Sequence, residues 1–423
     1  MAPSATGARS PRTAVWLACA ALAAVGLAVW GYTRWCGLDE VAVRAAVRAG
    51  RSGEARTALA RWLRRAPDSA EAQLWRARLA IADRRPDEAA KALTRAVALG
   101  APRPRIQRLH ATAAALAGRF EEAEPYLRAA FNEGGAPDPL LDEALSKIYL
   151  ETYDLPRARA ALSRWALDAP NDPRPHLWLA EADARMGDSS APLNDYLEAL
   201  RRDPACAQAR LGLAEILRKT HRNAEAADSY AAYLALKPDA AAGHLGCGQN
   251  ATELGDHDAA SRHLERAVAL APNDPEAHRA LAYVLTRQRN DAVALEHLDR
   301  AKAIDPYDVE TLYARSLILT RLGRHDEAKA DQARAATLRA ELADLVAARA
   351  TLVRSPHDTA TRLAIARWMF SHGKAAEGVH WAESILRDHQ GQPDACRLLT
   401  DHYARSGQNG LANLYRVQAA AQP

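Results

Sequence analysis

Small and apolar positions return along this chain every 34 residues. Ala180, Ala214, Gly248, Ala282 and Ser316 form one series at that spacing, and Ala226, Ala260, Ala294 and Ala328 form a second. A third, Tyr196, Tyr230, Leu264 and Leu298, keeps a large apolar group in register. No run of β-branched residues alternates as a half-buried strand would. The pattern predicts two helices per period, packed closely where their residues are small. Gly187, Gly255 and Gly323 fall between them, where the first helix must stop and reverse, a place suited to a residue that tolerates positive φ. His221 and Arg289 take that place in the intervening periods. Pro170, Pro204, Pro238, Pro272 and Pro306 close successive units, and polar residues such as Asn273 and Asp274 follow, able to cap the next helix. A fixed period of this length predicts a repeat array in which each unit buries its apolar face only against its neighbours.

The runs Leu254-Gly255-Asp256-His257-Asp258-Ala259-Ala260 and Leu322-Gly323-Arg324-His325-Asp326-Glu327-Ala328 resemble the helix-turn-helix core of the tetratricopeptide repeat family. The resemblance implies an all-α fold, a right-handed superhelical solenoid of helix pairs. Residues 36–338 divide into about nine such units. The earlier ones fit more loosely, with Ala55 and Pro67 in one, Ala77 and Ala89 in the next, Gly118 and Ala123 in a third, and Ala158 in the unit that leads to Pro170. Pro192 stands where the family has alanine, so that second helix is expected to start late, capped by Ser189 or Ser190. Trp62, Trp165 and Tyr233 occupy a slot that is Ala267, Ala301 and Ala335 elsewhere, and should alter the local packing angle. Residues 339–356 read as an extension of the preceding helix or a connector. Over 357–423, Gly373 and Gly407 lie 34 apart and Ala412 restores the second-helix alanine, whereas Gly378 replaces it, as in two degenerate closing repeats.

The first 35 residues differ from the rest. No charge interrupts the chain between Arg12 and Arg34. Residues 14–33 are apolar enough, at roughly 1.5 Å per residue, to cross a hydrocarbon core of about 30 Å. Trp16 near one end, and Trp30, Tyr32 and Trp35 near the other, are placed as interfacial rings prefer. One membrane-spanning helix is therefore expected ahead of the repeats; the alternative is a signal peptide cleaved after Gly26-Leu27-Ala28, which would leave a secreted protein. Arg9 and Arg12 precede the segment and Arg34, Arg44 and Arg48 follow it, so charge barely discriminates orientation. The expectation is a cytoplasmic N-terminus in a bacterial inner membrane, with the repeats in the periplasm. Trp35 stands where lipid attachment at Cys36 would need a small residue. The five cysteines are scattered and suggest neither a disulfide framework nor a zinc site.

A net charge of +4 over 423 residues, with both signs interspersed, argues against nucleic acid as the main ligand. Gly246-Cys247-Gly248-Gln249-Asn250-Ala251 matches the dinucleotide fingerprint G-x-G-x-x-A, but no strand precedes it and Gly248 belongs to the small-residue series. The two glycines are expected to weaken that helix by roughly 1 kcal/mol each relative to alanine. His257, His263, His278, His297 and His325 occupy reused slots of the repeat, about one repeat apart, which argues against a shared metal ion. No nucleophile elbow, phosphate loop or cysteine with an adjacent base is present, so no enzyme, cofactor or metal is expected.

In this family the concave face is lined by the first helix of each pair. The proline register places Arg78, Arg105, Arg108, Arg174, Arg185, Arg218, Lys219, Arg279, Tyr283, Arg287 and Arg321 on or near that groove, interleaved with Glu71, Glu143, Glu181, Glu215, Glu253 and Glu276. Arginine forks onto carboxylates and stacks on rings, so such a groove suits an extended or helical peptide with acidic groups. The competing reading is a solvated face of ion pairs, each worth a few tenths of a kcal/mol. The first-helix slots where some family members carry an asparagine that clamps a chaperone C-terminus hold none here. The expected function is a membrane-anchored scaffold or adaptor for a protein or peptide partner. The alternatives are an assembly, secretion or export factor handling polypeptide or polysaccharide, and an accessory subunit of a catalytic complex.

Overall fold

The computed structural model describes residues 38–133, 138–186 and 191–420, and all their regular structure is helical. The apolar segment at 14–33 lies outside these residues; among the described ones no helix is long and apolar enough to cross a membrane.

Two compact units divide the chain, 1–136 and 137–423. The first contains three helix pairs among its described residues: α1 (38–48) with α2 (Ser52–Arg65), α3 (Ala70–Ala82) with α4 (Pro86–Ala98), and α5 (Arg103–Leu116) with α6 (Phe120–Asn132). The second contains eight. They are α7 (Pro139–Glu151) with α8 (Leu155–Asp168), α9 (Arg174–Arg185) with α10 (Ala191–Arg202), α11 (Ala207–Lys219) with α12 (Asn223–Leu236), and α13 (Ala241–Glu253) with α14 (His257–Leu270). Then follow α15 (Pro275–Arg287) with α16 (Asp291–Ile304), α17 (Val309–Arg321) with α18 (His325–Arg354), α19 (Thr359–Ser371) with α20 (Ala375–Asp388), and α21 (Pro393–Arg405) with α22 (Asn409–Ala420). Pro192 sits in the first turn of α10; Gly187, Ser189 and Ser190 lie outside the described residues.

The helices form and end for local reasons. Asp274 caps α15 by accepting from the Glu276 N–H at 3.0 Å, and Asp256 caps α14 through the Ala259 N–H at 2.9 Å. Between α13 and α14 the chain turns through Gly255 at φ +81°, after which the Asp256 N–H returns to the Ala251 carbonyl at 2.9 Å. Asp256 thus ends one helix and begins the next. The same left-handed turn recurs at Gly323, and also at Tyr153, His221 and Arg289, where a side chain is present.

Burial follows the repeat. Ala180, Ala214, Ala226, Ala260 and Ala294 have no exposed surface, so adjacent helices meet nearly backbone to backbone. Trp62, Trp165 and Tyr233 are buried in the slot that alanine fills elsewhere. Helix α18 outruns its partner α17, continuing for 30 residues without a break. Leu338, Leu345 and Leu352, spaced by seven, are its buried stripe. Leu338 joins the core of the α17 repeat, and Leu345 and Leu352 join that of α19 to α22.

The second unit also carries contacts that skip the order of its repeats. Arg362 on α19 donates to the Thr152 carbonyl at 3.2 Å, and the His380 Nε2 lies 3.0 Å from the Glu151 carbonyl. The α19–α20 pair, the last but one, therefore touches the turn of the unit's first pair.

Candidate functional site

The groove positions named from the sequence all lie on the first helix of a pair. Arg105 on α5 forks onto Glu71 on α3, with Nη2 2.7 Å from Oε1. Arg78 lies over the Trp75 ring at 5.6 Å. In the second unit Arg174 bonds Asp172 at 2.7 Å and Glu143 on α7 at 3.2 Å, and its guanidinium sits 5.0 Å from the Trp165 ring. Arg185 bonds Glu181 and the Leu150 carbonyl. Arg218 bridges Glu215 at 3.2 Å and Glu253 on α13 at 2.8 Å. Arg279 lies 3.5 Å from Asp308, and Arg321 lies 2.9 Å from Asp291.

The interleaved glutamates are thus partners of these arginines, and Glu276 accepts from Gln249 at 2.8 Å. Three of the pairs, Arg105 with Glu71, Arg174 with Glu143 and Arg218 with Glu253, join first helices of successive repeats. They act as cross-repeat ties as well as surface charge. Arg105 with Glu71 is the most exposed of the three, and a solvent-exposed pair contributes about 0.2–1 kcal/mol. Arg218 is the most enclosed: burial works against its charge, but the Glu253 bond and the field of Glu215 outweigh that and push its pKa up. The Tyr230 hydroxyl donates to Glu215 at 2.6 Å, and burial, then this bond, push the phenol pKa up.

On α15 and α17 the face changes character. Tyr283 is 49% exposed, and the next first helix presents Tyr313 and Leu317, each 46% exposed. Arg287 donates to the Tyr283 hydroxyl at 2.7 Å and lies 5.2 Å from its ring. Arg108 on α5 is half-buried and Lys219 ends α11 exposed. An exposed aromatic and aliphatic patch beside a cation can hold an apolar side chain flanked by a carboxylate.

Behind this face lie features the period alone does not reveal. A Cβ at Gly246 would come 2.2 Å from the Tyr230 ring, and one at Gly212 would come 2.3 Å from the Tyr196 ring. The glycine at 246 is therefore a seat for a tyrosine, and the expectation that it merely weakens its helix is corrected: alanine there would collide. Gly248 keeps its place in the small-residue series, since Leu264 occupies the space its Cβ would need. Burial pushes the Cys247 thiol up to about 11, which makes it a packing group at neutral pH.

In two successive repeats histidines pair 19 residues apart. His244 and His263 face each other Nδ1 to Nδ1 at 3.1 Å, and His278 and His297 do so at 2.9 Å. The outer nitrogens of His244 and His278 reach the carbonyls of Pro238 and Pro272. Burial, then the neighbouring histidine, lowers the pKa of His263 and of His297. The spacing of 19 was a legible signal for this pairing. Among the described residues no three ligating side chains gather as a metal site would require.

A family model described as tetratricopeptide repeat matches residues 41–104, 76–139, 177–241 and 248–309, more than half the chain, and a second of the same description matches 309–342. No curated protein matches at a significant level. Three solved structures are similar in part. PilW, described as a type IV pilus biogenesis factor, is 19% identical over 46% of this chain and 91% of its own, with a TM-score of 0.43. MamA from Desulfovibrio magneticus is 22% identical over 40% and 97%, with a TM-score of 0.38. A thermophilic tetratricopeptide repeat protein from Thermus thermophilus is 21% identical over 42% and 99%, with a TM-score of 0.36. With paired helices at a 34-residue period and the family model matching most of them, the chain belongs to the tetratricopeptide repeat family.

Proposed function

We propose that this protein is a non-enzymatic scaffold or adaptor that binds a protein or peptide partner along its first-helix face. Residues 14–33 would hold it in a membrane, with the repeats in a bacterial periplasm. The observation that carries the reading is the first-helix face of α15 and α17, where Tyr283 stands exposed beside Arg287 and the next first helix leaves Tyr313 and Leu317 exposed. About half of each of these large side chains is left uncovered by the array, on consecutive repeats. Arg174, Arg185 and Arg218 are committed to ties within the protein and contribute shape more than free charge. The best partner is a segment with an aromatic or aliphatic residue next to an acidic one. Membrane attachment would raise the partner's effective concentration.

The test is cross-linking in the native membrane followed by mass spectrometry, comparing the tagged protein with a variant carrying Tyr283→Ala, Leu317→Ala and Arg287→Glu. All three positions are exposed, so the fold should stand. A stoichiometric partner that disappears in the variant supports the reading. A diffuse set of clients, unchanged by the substitutions, removes it and favours assembly or export work.

A further inference from the structure

The left-handed turns between paired helices mostly face open space. A Cβ added at Gly255 or Gly323 would meet no atom within 4 Å. Tyr153 occupies the equivalent place between α7 and α8 at φ +61°, a backbone region that disfavours a bulky residue. Its ring packs against Trp381 on α20, with centroids 5.4 Å apart, and joins the apolar core formed by α18 to α22. The neighbouring carbonyls are engaged as well. Thr152 accepts from Arg362, and Glu151 meets His380. Arg362 is 1% exposed, and its other terminal nitrogen bonds the Ser384 carbonyl and Asp388 at 3.0 and 2.7 Å. Burial pushes its pKa down against the pull of Asp388.

We propose that the α7–α8 turn is a docking surface for α19 and α20, a latch that closes the second unit on itself and opens as one event while every helix pair stays folded. In a repeat array each pair is held by its immediate neighbours. The latch joins pairs that are not neighbours, so releasing it leaves each nearest-neighbour interface intact. It is made of a few side chains, and its central hydrogen bond comes from a buried arginine. Buried charge gives specificity of docking more readily than net stability. Partial opening with the remaining structure preserved is how proteins expose such seams. The latch also borders a cleft of about 900 Å³, walled by Leu150, Tyr153 and Met186 on one side and by Val346, Val353 and Trp381 on the other. The cleft has both walls only while the latch is closed, so a ligand touching both would bias the protein toward closure.

Hydrogen exchange read by mass spectrometry on the full-length protein tests this with two variants. Tyr153→Gly removes the ring and gives the turn the residue its backbone prefers, so the α7–α8 pair is not harmed. Arg362→Met removes the donor to Thr152 together with the bonds to Ser384 and Asp388 inside the α19–α20 pair, so in this variant the segment at 148–155 reads the latch. The expected result is that peptides spanning 148–155 and 376–384 both exchange at least tenfold faster in each variant, while α11 to α16 stay as protected as in the parent. Unchanged exchange at both segments in both variants overturns the proposal. Faster exchange throughout the unit in Tyr153→Gly also overturns it, because the seam would then be part of one indivisible core.

Discussion

The repeats around α10 to α13 and those around α14 to α17 share one period and solve the same packing problem differently. In the first group a tyrosine projects from the second helix, and the next first helix receives it on a glycine: Tyr196 on Gly212, and Tyr230 on Gly246. In the second group Leu264 packs with Ala280 and Leu298 with Ala314, at the same two register positions. What the repeat preserves is the combined volume at the contact, not either residue. The exchange also changes the chemistry. Leucine brings only apolar surface, whereas the Tyr230 hydroxyl enters the network of Glu215, Arg218 and Glu253, which ties α11 to α13. A buried tyrosine needs such a partner, and a glycine in mid-helix costs roughly 1 kcal/mol relative to alanine. At Tyr230 that cost comes with a polar link between units.

The largest effect should come from placing alanine under the tyrosine. Gly246→Ala gains roughly 1 kcal/mol of helix propensity but forces the Tyr230 ring aside, and overpacking typically costs about 1–3 kcal/mol. The expected outcome is a net loss of up to about 2 kcal/mol in chemical denaturation, recovered in part by adding Tyr230→Leu. A stabilised Gly246→Ala would break the comparison outright. The reciprocal change, Ala280→Gly, should cost about 1 kcal/mol, since it loses propensity and gains no ring. Equal signs for glycine at 246 and at 280 would mean the two groups pack alike.

A smaller effect concerns the turns, where the groups should agree. His221 and Arg289 hold φ +60° with a side chain present. Replacing either by glycine relieves about 1 kcal/mol of left-handed strain, less the entropy that glycine adds to the unfolded chain. Both variants should melt slightly higher, and by similar amounts.

The smallest expected difference is in pH response. Burial and the facing histidine lower the pKa of His263 and His297 in the folded state. Below the unfolded value near 6.5, the unfolded chain then binds protons that the folded one does not. Stability is therefore complete above about pH 6.5 and declines as pH falls toward the lowered folded values. A His263→Asn, His297→Asn variant should lose less melting temperature than the parent between pH 7 and pH 5. The equivalent slots of the preceding repeats hold His176 with Asp195 and Arg210 with Ser229, so the facing pair of histidines is confined to the two later repeats.

The sequence by itself determined the repeat, because nearest-neighbour packing leaves a trace at fixed spacing. Small residues at Ala180, Ala214 and Ala282, the reversing positions at 255 and 323, and caps such as Asp274 are local requirements of a helix pair and recur with it. It also marked which first-helix positions carry charge. Only the tertiary structure decided what that charge does. Whether Arg218 faces solvent or bridges Glu215 and Glu253 depends on how far one helix lies from the next, a distance no spacing encodes. The seat beneath Tyr230 stayed hidden for a related reason, since it joins residues of two repeats whose identities change together. The contact of Arg362 with Thr152 lay furthest beyond reach. It spans 210 positions and depends on rotations accumulated from one helix pair to the next, which no single repeat contains.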